Sequence, residues 1–206
     1  MDGNPELGLS YTDIYGFIDD PSKCFKHSLL RSSSKISGKA FDQLYGNGVI
    51  PNSTVMIRKS VVEVIGFLDE APTLKSAEDY EYWLRISRFF SIGYIDKPLA
   101  KYRQHPEGIS KSIIQHNQAI LYIADELDRQ FPDIPIKLAK QRQQWRARLN
   151  YGIGRALLRQ NEPQAARKYF RSAWKSEKSA LLFWIASFLG EYVYSQIDGL
   201  KQKVLS

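Results

Sequence analysis

Ser76-Ala77-Glu78-Asp79-Tyr80-Glu81-Tyr82-Trp83-Leu84-Arg85 is the stretch on which the fold reading turns. Two adjacent carboxylates open a run with helical spacing, and Tyr80, Trp83, Leu84 and Ser87 fall on one side of a helix over 77–90. Ser76 stands where an N-cap belongs, since its hydroxyl can accept from an early backbone N–H, and Asp79 follows three residues later at N3. Two β-type runs come directly after, 92–96 and 99–102, separated by Lys97-Pro98. A helix feeding straight into strands predicts an α/β arrangement.

Upstream, residues 7–14 read as a strand entered from Gly3, Asn4 and Pro5, and 25–30 as a short return strand after the turn Asp19-Asp20-Pro21-Ser22. A modest helix at 39–45 is closed by Gly46-Asn47-Gly48. Thr54-Val55-Met56-Ile57-Arg58 is a continuous β-type run, as expected of a strand covered on both faces. Ser60 is placed to cap a short helix that Gly66 ends in a left-handed conformation.

Downstream the pattern changes. After Pro106-Glu107-Gly108, Ser110 is expected to cap a long helix ending near Phe131, and Pro132 and Pro135 mark a boundary between modules. Helices at 137–159 and 163–175 follow, joined by Gln160-Asn161-Glu162, with Pro163 at a first helical position. Gly154, Ala166, Phe170 and Ala173 fall at the offsets of a tetratricopeptide (TPR) unit, with Leu157 in the aromatic slot. Phe188 occupies the glycine position of any second copy, so the expectation is one TPR-like hairpin plus a final helix, not an array.

Charge separates the same two parts. Residues 137–203 hold fourteen Lys and Arg against four acids, whereas the remainder holds fifteen basic and eighteen acidic side chains. Such asymmetry suggests modules with different partners. Among the 206 residues no apolar run reaches the roughly 18 needed to cross a bilayer. Residues 1–10 carry Asp2 and Glu6 and do not read as a signal peptide. The single cysteine, Cys24, excludes an internal disulfide and a cysteine-cluster metal site. The expected location is cytoplasmic, extending to a peripheral position at the inner face of the plasma membrane.

The acidic doublet leaves two readings open. Acids in a first helical turn complement the helix dipole and need no further purpose. A carboxylate fixed on a rigid helix end is also suited to proton abstraction, and the dipole there favours its ionised form. In a second stretch, Leu99-Ala100-Lys101-Tyr102-Arg103-Gln104-His105-Pro106, the proline biases His105 to an extended backbone. Arg103 shares its strand face and has the geometry for bidentate phosphate contact, the bland alternative being a solvated arginine. His27 and His116 have no comparable company and are assigned nothing.

These two stretches, with the run 47–59 (Asn-Gly-Val-Ile-Pro-Asn-Ser-Thr-Val-Met-Ile-Arg-Lys) and Val64-Ile65-Gly66-Phe67-Leu68-Asp69-Glu70, resemble family 2 glycosyltransferases of the GT-A fold. The opening Asn4-Pro5-Glu6-Leu7-Gly8-Leu9-Ser10-Tyr11-Thr12-Asp13 looks like the segment after their metal-binding Asp-x-Asp motif. The resemblance covers about residues 4–112. It implies a general base at Asp79, preceded by Glu78, a metal ligand at His105, and an acceptor-side strand beginning at Asn52-Ser53. By the same likeness Arg103 reaches the donor diphosphate, and Trp83 belongs to the substrate side or packs beneath Asp79. The chemistry implied is transfer of a sugar from a nucleotide-sugar to an acceptor hydroxyl with inversion, in cell-surface glycan or polysaccharide synthesis. The acceptor is a glycan or a lipid-linked glycan. Mn²⁺ or Mg²⁺ is the implied cofactor, with most of its ligands outside these residues.

The sequence departs from that family as well. It contains no Asp-x-Asp and no glycine-rich phosphate loop. The expectation is therefore an α/β part of a GT-A Rossmann-like sheet over 1–112, a connecting helix and linker over 113–134, and a basic all-helical module over 135–206. This chain alone is expected to be inactive, the donor-binding half lying elsewhere or on a separate chain. For the basic module, a solvated face is weighed against docking on an anionic membrane surface, and residues 181–189 either lie in that interface or, as the blander reading, are the apolar helix covering the hairpin. Nucleic acid is not favoured, because no reading motif accompanies the charge. The rival function is a non-catalytic adaptor that binds partners through the TPR-like helices.

Overall fold

A computed structural model describes residues 3–18, 20, 22–23, 30, 35–47, 49–104 and 112–197. The chain divides into two units, Met1–Lys111 and Ser112–Ser206. The first is mixed α/β and the second, among the described residues, is all-helical.

In the first unit three strands form a mixed sheet in the order β2-β1-β3. β1 (Leu7–Phe17) lies in the middle, antiparallel to β2 (Met56–Ile57) and parallel to β3 (Ser91–Arg103). β1 has a neighbour on each edge and is buried on both faces almost throughout, with Leu9 and Tyr11 at 0% exposure. Around the sheet lie α1 (Phe41–Asn47), α2 (Lys59–Ile65) and α3 (Glu78–Phe89), with single 3₁₀ turns at Asn52–Thr54 and Pro72–Leu74. Leu44, Leu84, Ile86 and Ile92 close the core.

Several local expectations are corrected. The two runs 92–96 and 99–102 are one strand, because Lys97-Pro98 is absorbed by a register shift. Thr12 pairs with Ile95, Asp13 with Pro98 and Ile14 with Ala100. The covered strand at 54–58 shrinks to Met56–Ile57, with Met56 exposed, because Asn52–Thr54 is wound into a 3₁₀ turn after Pro51. Arg58, not Ser60, is the N-cap of α2. Gly66 ends α2 with φ 84° but with an extended ψ of −173°. The N-cap position of α3 is Ala77 rather than Ser76, whose φ of 74° is left-handed, and Asp79 becomes N2. The expected strand at 25–30 lies outside the described residues, except for buried Leu30.

In the second unit α4 (Ile113–Gln130), α5 (Asp133–Lys137), α6 (Ala139–Arg159), α7 (Pro163–Ala173) and α8 (Lys178–Leu189) precede a helical segment at 191–197. Ser112 is the N-cap of α4, accepting from the Gln115 N–H. The helix expected to connect modules belongs to this unit, since α4 packs on α6, its Ile123, Ala124 and Leu127 are buried, and Asn117 donates to the Leu149 carbonyl. Arg146 pairs with Asp125 at 2.6 Å and Asp128 at 2.8 Å, and Arg142 also reaches Asp128. These two arginines therefore hold α4 to α6 and are not a free part of a basic face.

α6, α7 and α8 share a core of Ile153, Ala166, Phe170, Ala173, Ala180 and Phe183. The Phe170 ring stacks on Phe183 at 5.8 Å and meets Tyr151 at 6.1 Å. Gly154 lets it come close, as a Cβ there would lie 2.6 Å from the ring. Asn161 turns the chain between α6 and α7 with φ 59°, a conformation asparagine tolerates, and accepts from the Tyr194 hydroxyl at 2.9 Å.

Candidate functional site

The N-terminus of α3 carries Glu78, Asp79 and Glu81, and each carboxylate has a different fate. Glu81 is bound by Arg85 at 2.6 and 3.0 Å. The same guanidinium donates to the Ile65 and Phe67 carbonyls, both at 3.0 Å, so this pair fastens α3 to the end of α2. Asp79 Oδ1 accepts the Tyr80 backbone N–H at 2.7 Å, one of the donors a helix start leaves without an intrahelical partner. Glu78 has one oxygen, Oε2, that is buried and has no hydrogen-bond partner among the described residues. An unsatisfied buried acceptor costs about 1–3 kcal/mol, so the fold tolerates it at this position against its own stability.

Trp83 lies one helical turn after Asp79. It is 3% exposed and tilted against Tyr82 at 5.7 Å, so its ring is packed beneath the helix end rather than displayed to a ligand. Its Nε1 is likewise buried without a partner among the described residues. Tyr80 anchors the turn between them by donating to the Leu44 carbonyl at 2.9 Å and accepting the Gly46 N–H at 3.3 Å. Burial pushes its phenol well above the ordinary tyrosine range. Two residues before Glu78, the left-handed Ser76 adds backbone strain of about 1–2 kcal/mol.

The other expected site residues are distributed around the same unit. Asn52 and Ser53 are exposed in the 3₁₀ turn that packs on β1 and β3. Arg103 is exposed at the carboxyl end of β3, paired in register with Phe17. The carboxyl ends of parallel strands are where α/β sheets hold ligands, and β1 and β3 are parallel there. His105 lies outside the described residues. Among the described residues no group of three or more His, Cys, Asp or Glu converges to hold a metal ion. Glu78 and Asp79 alone do not supply a ligand set.

A second polar cluster was not anticipated. Asp13 is 3% exposed on central β1 and takes the Ile14 N–H at 2.7 Å. The Tyr94 hydroxyl lies 2.9 Å from Asp96 and 3.2 Å from Asp13, and Lys35 is 2.8 Å from Asp96 and 3.9 Å from Asp13. Burial and then the hydrogen bond to Asp96 push the Tyr94 phenol up to about 12, whereas Lys35 holds Asp96 below the usual carboxylate range. Tyr11 completes the arrangement by accepting the Ile36 N–H at 2.7 Å and donating to the Ile36 carbonyl at 3.1 Å. The cluster binds residues 35–36 to the sheet. Its signal in the sequence is Thr12-Asp13 inside an otherwise β-forming run, with Tyr94 and Asp96 two apart on β3.

No protein-family model, curated protein or solved structure matches the chain.

Proposed function

We propose that residues 4–112 are the acceptor-side part of an inverting glycosyltransferase of family 2, built on the GT-A plan, with Asp79 as its general base. The observation that carries this reading is the α3 N-terminus. There a strained Ser76 leads towards Asp79, and the adjoining Glu78 Oε2 is buried without a hydrogen-bond partner among the described residues. A polar atom maintained in that state beside a fixed carboxylate is what a site prepared for a hydroxylated ligand requires.

In the proposed reaction the acceptor hydroxyl gives its proton to Asp79, and its oxygen bonds to the anomeric carbon from the face opposite the leaving group. The anomeric carbon–phosphate oxygen bond breaks, and its electron pair departs with the nucleoside diphosphate. The helix dipole favours the ionised carboxylate needed at the start. Glu78 orients acceptor hydroxyls through its unsatisfied oxygen, Asn52 and Ser53 line the acceptor side, and Arg103 meets the diphosphate. The divalent metal of the family belongs to the proposal through His105 and ligands outside the described residues. The same reading makes α6–α7 a single TPR-like hairpin, supported by the close packing of Gly154 on Phe170.

The experiment is sugar transfer from a panel of nucleotide-sugars, with an Asp-x-Asp-bearing half joined in frame or added in trans. Asp79→Asn should lower kcat by about 10²–10⁴-fold with little change in donor KM. Undiminished transfer by Asp79→Asn, or no transfer from any donor, overturns the proposal.

A further inference from the structure

The positive charge of this protein resides in one unit. Residues 112–206 hold fifteen Lys and Arg against eight Asp and Glu, and residues 1–111 hold fourteen of each, so the whole net charge of +7 lies in the helical unit. Within it, α8 is unusual. Its sequence contains no acid, and Leu181, Leu182, Ile185, Phe188 and Leu189 are 40%, 48%, 49%, 57% and 64% exposed. At about 100° per residue these five side chains occupy an arc of roughly 120°, a continuous apolar stripe rather than scattered exposure. Lys178 stands on the same arc at its start.

The flank of α7 is fixed beside that stripe. Arg167 donates to Ser187 Oγ at 3.2 Å and to the Ser187 carbonyl at 2.8 Å, and its guanidinium lies 3.8 Å from the centroid of the Phe188 ring. Arg171 is one turn further along the same side of α7, and both it and Lys175 are exposed. Trp174, 42% exposed, has the Lys175 ammonium 5.9 Å from its ring. A row of cations with an aromatic at its end therefore borders an apolar helix face.

We propose that this surface docks on an anionic lipid bilayer, with α8 lying in the plane of the interface. The stripe would enter the acyl boundary while Arg167, Arg171, Lys175 and Lys178 meet headgroup phosphates. At 12 residues α8 is about 18 Å long, too short to span, and among the described residues no helix is long and apolar enough to cross a membrane. A second copy of the chain is a poorer occupant, because pairing the stripe with itself brings two cation rows together between molecules of net charge +7. Nucleic acid is poorer still, since four of the five stripe residues, Leu181, Leu182, Ile185 and Leu189, are branched aliphatics on which bases do not stack.

The test is sedimentation of the full chain with vesicles of phosphatidylcholine alone and of phosphatidylcholine with phosphatidylglycerol. Binding should require the anionic lipid and weaken with salt. Leu182→Glu/Ile185→Glu, on exposed positions and with helicity verified by circular dichroism, should abolish it. Arg171→Gln and Lys175→Gln should each weaken it about fivefold. Equal binding to neutral vesicles, no binding, or full binding by the glutamate variant overturns the inference. So does light scattering that shows a dimer lost in Ile185→Glu without vesicle binding, which would make the face a self-association surface. No outcome depends on sugar transfer, so this inference and the enzymatic proposal fail separately.

Discussion

Gly154→Ala should destabilise the helical unit even though alanine is favoured over glycine in a helix interior by about 1 kcal/mol. The added Cβ would lie 2.6, 2.8 and 2.9 Å from three carbons of the Phe170 ring, well inside the 3.5–4.0 Å at which carbon atoms attract. The ring cannot retreat easily, being fully buried between Phe183 and Tyr151. Overpacking of such a site costs about 1–3 kcal/mol, and three overlaps against a confined ring put this one at the upper end. The net loss is about 2 kcal/mol. In a Phe170→Leu background the overlap disappears, and Gly154→Ala should become neutral or stabilising by up to about 1 kcal/mol. The cycle then gives a coupling of about 2–3 kcal/mol, readable from urea unfolding followed by circular dichroism at 222 nm. A Gly154→Ala variant more stable than the parent, or equal effects in both backgrounds, would show that the α6–α7 crossing is not set by this glycine.

Two further outcomes bear on the first unit. Tyr11→Phe removes the hydroxyl that satisfies both backbone groups of buried Ile36, and should cost about 2–4 kcal/mol, with faster amide exchange at Ile36. Trp83, the only tryptophan before residue 112, reports the unfolding, and a loss under 0.5 kcal/mol would contradict the assignment. For Tyr94 the folded phenol is raised to about 12 from an ordinary value near 10. Its contribution to stability is therefore fully present below about pH 10 and is lost as the pH rises towards 12. Absorbance titration at 295 nm should show a late-ionising class that loses one group in Tyr94→Phe, and an unchanged class would refute the placement.

The elements were legible wherever local chemistry decides them. Residues 7–14 announce a strand, and Pro163 and Asn161 punctuate the α6–α7 hairpin as the sequence suggests. What was not legible depends on partners distant in the chain. Lys97-Pro98 looks like a turn, and only the pairing with β1, more than eighty residues earlier, shows it to be an irregularity inside one strand. Ser76 has the residue type of a cap, but after the 3₁₀ turn at Pro72–Leu74 its backbone is left-handed and the helix takes Ala77 as its N-cap position. In the candidate site, the acidic doublet was visible as a pattern. The unequal fates of its carboxylates were not, because they follow from where Arg85 and the end of α2 come to lie.

The two margins of the small sheet have different capacities for growth. At the start of β3 the backbone is already spoken for: Gly38 exchanges hydrogen bonds with Ile92, the Tyr94 N–H is held by Ser37, and further along Pro98 has no N–H to offer. Along Met56 and Ile57 no further strand lies alongside among the described residues. Level with the start of β3, a polypeptide that enlarges this sheet approaches past the exposed side chain of Met56.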